Sequence, residues 1–331
     1  MMDYEMFLGT VREKFMDYMP ERFRRGKMEI RAVTKVNTTL DALTIRMPEN
    51  ERISPNIYVN EMYEQYKKVG NLDATLHLMA AEYTEILDET MAMKPELDID
   101  DLKDNVIFIL VNTEQNRELL ANVPSKPFQD LSVIFRWVMS QDERGMVGSI
   151  VTTSMMKAAG LTAESLMEHA IENTKRICPP KIISMQKAML EVNPENFEPE
   201  LVELLEQMEE DPKETTWIIT NESGINGASA MLYEENLHKL AEKMGTDMYL
   251  LPSSIHEWLA VSVDNEKPEV LADRVQEINR NHIRLEERLS NNVYHYDKDL
   301  RKVTMATDVP NKRLDGFVSE QPIIYDAERK R

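Results

Sequence analysis

The chain of 331 residues holds one cysteine, Cys178, and ten glycines. A single thiol can close neither an intrachain disulfide nor a cysteine zinc site, which fits a reducing cytoplasm. Nor is there an uncharged apolar stretch of the roughly 20 residues that a bilayer span requires, so no membrane association is expected. The longest buried-looking run, Val106 to Val111, has the length of a strand. "MMDYEMFLGTVREKFMDYM" at the N-terminus places acids early and does not read as a secretory signal. The glycine loops that cradle nucleotides, Gly-x-x-x-x-Gly-Lys and Gly-x-Gly-x-x-Gly, are missing, and so is a Gly-x-Ser-x-Gly elbow. No cofactor is expected on these grounds.

Positive charge is also scarce. There are 39 Lys and Arg against 59 Asp and Glu, a formal net charge of −20. Every phosphate contact would work against that field, which argues against general nucleic-acid binding and permits a basic protein partner. The balance is uneven. A basic excess runs from Arg12 to Lys35, whereas 191–214 is acidic at all its charged positions except Lys213. Solvated faces are the plainest source of both.

The apolar pattern gives the elements. Tyr4, Phe7, Leu8, Val11, Phe15 and Tyr18 recur at helical spacing. "KMEIRAVTKV" and "LDALTIRM" read as strands about a turn at Asn37 to Thr39, and "NIYV" as a third. Gly70 closes a helix, and another follows with Leu72, Leu76, Met79, Tyr83, Ile86 and Leu87 on its buried side. The polar "KPELDIDDLKDN" marks a boundary.

Beyond it, "NVIFILV" suits a strand covered on both faces. "LSVIFRWVM" and "GMVGSIVTT" continue as strands, and Thr162 caps a helix that ends before "CPPK". An acidic helix is expected near Pro199 to Met208, and "TTWIITNESGINGASAML" reads as two strands about the Asn226-Gly227 turn. Then come a helix ended by Gly245, the strands "TDMYLL" and "EWLAVSV", a long helix over "PEVLADRVQEINRNHIRLEERLS", and a hairpin of "NVYHYD" with "LRKVTMA". This mixture predicts an α+β fold: a largely antiparallel mixed sheet with packed helices, and a smaller N-terminal α+β unit. The expected divisions are 1–100, 101–306 and a flexible tail, 307–331.

Chemistry centres on "YLLPSSIHEW", residues 249–258. On the sequence reading, Pro252 starts a bend and a strand resumes near His256, so His256 and Glu257 face opposite ways. Ser254 and His256 share a face and are the candidate nucleophile and base, with Glu257 as a candidate acid. A zinc-protease pattern fails because position 260 is Ala. The plainer alternative is that Pro252 fixes the bend while Ser253 and Ser254 bond nearby backbone. Glu257, on an otherwise apolar face, needs a partner. Pro252, Ser253, Asn221 and Glu222 are candidate ligand contacts. His77, His169, His238 and His282 fall on expected helices and read as surface or core, so no metal is expected. Cys178 has no neighbouring base.

Four stretches carry a family likeness: "SPNIYVNEMYEQYKKVGNLDATL", "NVIFILVNTEQNRELLANVPSKPFQDLSVIFRW", "NGASAMLYEENLHKLAEKMGTDMYLLPSSIHEW" and "LSNNVYHYDKDLRKV". Together they resemble an uncharacterised family of anaerobic Gram-positive gut bacteria whose members sit on chromosomal and conjugative mobile elements. A fainter similarity links the chain to the YtpQ-like proteins. The resemblance implies a cytoplasmic bacterial protein in an accessory, regulatory or anti-defence role, and it carries over no catalytic residue. The reading therefore leans to a non-enzymatic protein-binding or regulatory factor. Its alternatives are a hydrolase centred on Ser254 and His256, and a DNA-mimicking inhibitor using the acidic segment from Glu191 to Glu214.

Overall fold

The computed structural model describes residues 1–48, 54–92, 98–142, 145–192, 211–310 and 312–315. The chain divides into two compact units, Met1–Leu97 and Asp98–Arg331.

In the first unit the amphipathic helix Tyr4–Tyr18 begins at Asp3, whose carboxylate accepts the Met6 N–H at 2.9 Å. It buries Phe7, Leu8, Val11 and Phe15. The strands β1 (Lys27–Lys35), β2 (Thr38–Arg46) and β3 (Asn56–Tyr58) form an antiparallel sheet in that order. Lys35 pairs with Thr38, so the turn is Val36–Asn37, one step earlier than expected. Asn37 takes the left-handed φ of 63° that this residue type tolerates. Helices Val59–Val69 and Leu72–Ala92 meet through Gly70 at φ 70°. Leu76, Met79, Ala80, Tyr83 and Leu87 complete the core. Ile86, expected on this side, is exposed, because the stripe is already filled at steps of three and four and leaves it on the rim. Tyr83 is fully buried; its hydroxyl accepts the Ile45 N–H and donates to the Pro55 carbonyl, both at 2.8 Å.

The second unit contains two antiparallel sheets. In the first, β4 (Val106–Asn112) and β5 (Ser125–Phe128) flank β6 (Leu131–Asp142), and β7 (Gly145–Ile150) pairs farther along β6. All seven residues of β4 are buried. Helix Ala163–Ile177 packs on β4, begun by a reciprocal cap between Thr162 and Ser165. The other sheet comprises β8 (Pro180–Ser184), β9 (Trp217–Asn221), β10 (Met248–Ser254), β11 (Glu257–Ser262), β12 (Tyr294–Asp297) and β13 (Lys302–Met305). Their spatial order is β13-β12-β10-β11-β9-β8. Helix Glu234–Met244 ends at Gly245, φ 71°, and helix Pro268–Asn281 packs Leu271, Ala272 and Val275 with Leu251. The α+β class expected from the pattern is the one found.

Further local expectations change. The strands β5 and β8 were not legible because each contains a proline, which a sheet accepts at its edges, where both strands lie. "GASAML" is a 3-10 helix, Gly227–Leu232, not a strand. The long helix stops at Asn281, and a 3-10 turn, Leu285–Glu287, follows. The first part of the expected flexible tail is packed: Val309 and Leu314 are buried, and Leu314 N–H reaches Gln115 Oε1 at 3.1 Å. Residues 316–331, the expected acidic helix and most of the 191–214 segment lie outside the described residues. Among those described, no helix is long and apolar enough to cross a membrane.

Candidate functional site

The 249–258 stretch is a tight hairpin. β10 continues through Pro252 to Ser254, Ile255 and His256 form the turn, and β11 returns from Glu257 with a bulge between Pro252 and Ser254. The strand therefore does not end at Leu251, and His256 sits in the turn instead of opening the next strand. Pro252 lies beyond the β12 pairing, which spans Met248 to Leu250, where its missing N–H is tolerated. Along β11 the expected alternation holds: Trp258, Ala260 and Ser262 are buried, whereas Glu257, Leu259 and Val261 are half-buried.

Polar side chains close this turn on itself. Ser253 Oγ donates to Glu257 Oε1 at 3.1 Å, giving that carboxylate its partner. Ser254 Oγ accepts the backbone N–H of His256 at 3.0 Å. The imidazole meets the chain instead of the hydroxyl: Nδ1 accepts Asn226 N–H at 3.1 Å, which places the neutral ring's proton on Nε2. His256 O accepts Thr220 Oγ1 at 2.8 Å, and Ile255 bonds Glu287 O and Ala228 N–H. Gly227 is needed where these pieces meet. A Cβ there would lie 2.3 Å from Thr220 Oγ1 and 2.5 Å from His256 O. Asn221 is buried, donating to Ile225 O at 2.9 Å and accepting Ser223 Oγ at 3.0 Å, while the Glu222 side chain is exposed. The fold thus gathers Ser253, Ser254, His256 and Glu257 at one turn, joined through backbone and a neutral donor.

A concave site lies elsewhere in the same unit. A cavity of about 650 Å³ opens among the end of β4, the β5–β6 turn and the chain after β13. That turn is Gln129–Asp130, since Phe128 pairs with Leu131, and Gln129 holds the strained φ of 55°. Asp130 lines the cavity, and buried side chains hold its carboxylate. Its Oδ2 accepts Ser290 Oγ at 2.7 Å and Asn292 Nδ2 at 3.1 Å, and its Oδ1 accepts the Tyr294 hydroxyl. Those three donors are buried. Burial, reinforced by the adjacent Asp130 charge, drives the Tyr294 hydroxyl well above its usual range, so it remains a donor.

Asn292 Oδ1 in turn accepts Val309 N–H at 2.9 Å and Thr307 Oγ1 at 3.2 Å, which seats the chain after β13 against the cavity. Asn112 Nδ2 donates to Leu289 O at 3.2 Å, tying β4 to the same corner. Sequence reasoning missed Asp130. The available signal was the asparagine-rich "LSNNVYHYD", but the carboxylate it holds is 160 positions from Ser290.

Other charges at the cavity have their own partners: Glu114 pairs with Arg117 at 2.7 Å and Asp308 with Lys312 at 3.3 Å. Among the described residues no group of His, Cys, Asp or Glu could hold a metal ion. Cys178 is buried, and desolvation pushes its thiol up to about 11.

No curated protein and no solved structure matches the chain. A family model does, over residues 4–298. With nearly its whole length matched, the chain belongs to this family, described as a family of unknown function (DUF5688).

Proposed function

We propose that this protein works by binding, as a non-enzymatic accessory or regulatory factor, and that the Asp130 cavity receives its ligand. The observation that carries this reading is the cavity itself, about 650 Å³, with a carboxylate positioned at its wall by three buried side chains. Such a volume lies within the usual range of ligand sites, and a few fixed polar groups in a partly apolar concavity give orientation. At the 252–257 turn, by contrast, the Ser254 hydroxyl and the His256 Nδ1 are both engaged by backbone N–H groups. With Nδ1 so engaged, the imidazole cannot take the Ser254 proton through that nitrogen. The net charge of −20 favours a basic partner through long-range attraction. A cytoplasmic role as an accessory of a mobile element, implied by the family resemblance, is compatible with binding of this kind.

The test compares wild-type protein with Met305→Trp, which fills the cavity from β13. Partners are captured from a bacterial lysate, and both proteins are assayed against p-nitrophenyl esters and a peptide library. A partner held by wild type and released by Met305→Trp, with no turnover by either, is the expected result. Turnover that disappears in Ser254→Ala would overturn the proposal, as would a partner retained equally by both proteins.

A further inference from the structure

Asp130 is an unusual carboxylate for its position. It is half-buried, yet its three hydrogen bonds come from a serine, an asparagine and a tyrosine, none of them charged. Among the described residues no cationic side chain meets it. Lys312, the cation that lines the cavity, pairs with Asp308 and not with Asp130. A partly buried charge without a counter-charge is costly, and it is stabilised strongly by any cation that reaches it.

The geometry also discriminates between cations. A carboxylate offers about four acceptor positions, and Asp130 has filled both on Oδ2 and one on Oδ1. A guanidinium binds best as a fork to both oxygens, which the occupied Oδ2 prevents. A primary ammonium is a compact charge that needs a single acceptor position and can turn its other N–H groups elsewhere. Thr113 and Thr307 line the same cavity, and Met305 and Ala306 supply an apolar wall for an alkyl stem.

We infer that the cavity is a site for a primary alkylammonium group, held by Asp130 and carried on an aliphatic chain. This rests on reading the cavity as the protein's binding site. Two independent observations support it: a concavity of ligand size, and a preorganised carboxylate that meets no cation among the described residues. The group could enter as a free amine or as the lysine side chain of a partner, and the experiment separates these sources.

Full-length protein is titrated by calorimetry with n-butylamine, 1-pentanol, propylguanidine and N-acetyl-Gly-Lys-Gly-amide. Saturable binding of butylamine is expected, with pentanol and propylguanidine weaker. Asp130→Asn should weaken butylamine by roughly ten- to a hundred-fold, the worth of a hydrogen bond to a charged group. Met305 makes none of the Asp130 side-chain bonds, so Met305→Trp closes the cavity without removing a donor and decides the matter even if Asp130→Asn does not fold; it too should lose butylamine. Binding of the lysyl peptide alongside butylamine identifies a partner's side chain as the source; binding of butylamine alone identifies a free amine. Butylamine binding no better than pentanol would overturn the inference, as would binding that survives both substitutions. Should butylamine fail while Met305→Trp still releases a captured partner, only the ammonium assignment falls and the binding function stands.

Discussion

Replacing Gly227 with alanine tests how the 252–257 turn is held. Gly227 has no left-handed φ, so its requirement is space, not conformation. The new methyl would sit 2.3 Å from Thr220 Oγ1, 2.5 Å from His256 O and 2.7 Å from Asn221 N, and two of these three atoms are backbone. None is the free end of a flexible chain, so the 3-10 helix must move away from β9 and the turn. Overpacking of this kind costs about 1–3 kcal/mol, and weakening the Thr220–His256 bond adds about 1 kcal/mol, for a total near 2–4 kcal/mol.

Urea unfolding followed by tryptophan fluorescence measures this cleanly, because Trp137, Trp217 and Trp258 all belong to the Asp98–Arg331 unit. The control is Gly224→Ala: that glycine has φ 67° with nothing near its Cβ position, so only the left-handed penalty of about 1 kcal/mol applies. Thr220→Ala in the Gly227→Ala background removes the 2.3 Å contact and leaves the 2.5 Å contact with His256 O. The double variant should therefore lose less than the two single losses combined. If Gly227→Ala costs no more than Gly224→Ala, close approach does not position this turn.

Tyr83→Phe should destabilise the N-terminal unit by about 2 kcal/mol, since it strands a buried N–H at Ile45 and a carbonyl at Pro55. Far-UV dichroism during thermal unfolding would show it, and a loss below about 0.5 kcal/mol would contradict the accounting of those bonds. Cys178 should be silent to Ellman's reagent at neutral pH in the native protein and react after denaturation; prompt native reaction would refute its burial. Its thiol rises from 9.0 to about 11, so the folded state disfavours the thiolate and this contribution is full below 9.0 and lost as pH climbs to about 11. The urea midpoint should fall across that window and fall less steeply in Cys178→Ala, and a midpoint that rises instead would reverse the sign.

The legible parts of the fold are those written in local pattern. Helix Tyr4–Tyr18 follows from its apolar stripe, the two helices closed by Gly70 and Gly245 from their left-handed caps, and β4 from an unbroken apolar run. The alternation on β11 was visible because Trp258 and Ala260 step by two against Glu257 and Leu259. β5 and β8 were not, since a proline reads as a break until the sheet shows that both strands are edges.

By itself, then, the sequence determined the α+β class, the longer described helices and the central hairpins, because periodicity, caps and turns act over a few residues, whereas short helices such as Met185–Val192 were not legible. It also marked 252–257 as a dense polar turn. Only the tertiary structure decided that "GASAML" coils, because Gly227 must lie beneath His256 O and Thr220. It alone decided which groups the polar side chains of that turn meet, since Asn226 and Glu287 arrive from other elements. The Asp130 corner was beyond local reading for the same reason. Its carboxylate and the donors that hold it are separated by 160 or more positions, and nothing in a periodic pattern records a hydrogen bond made across that distance.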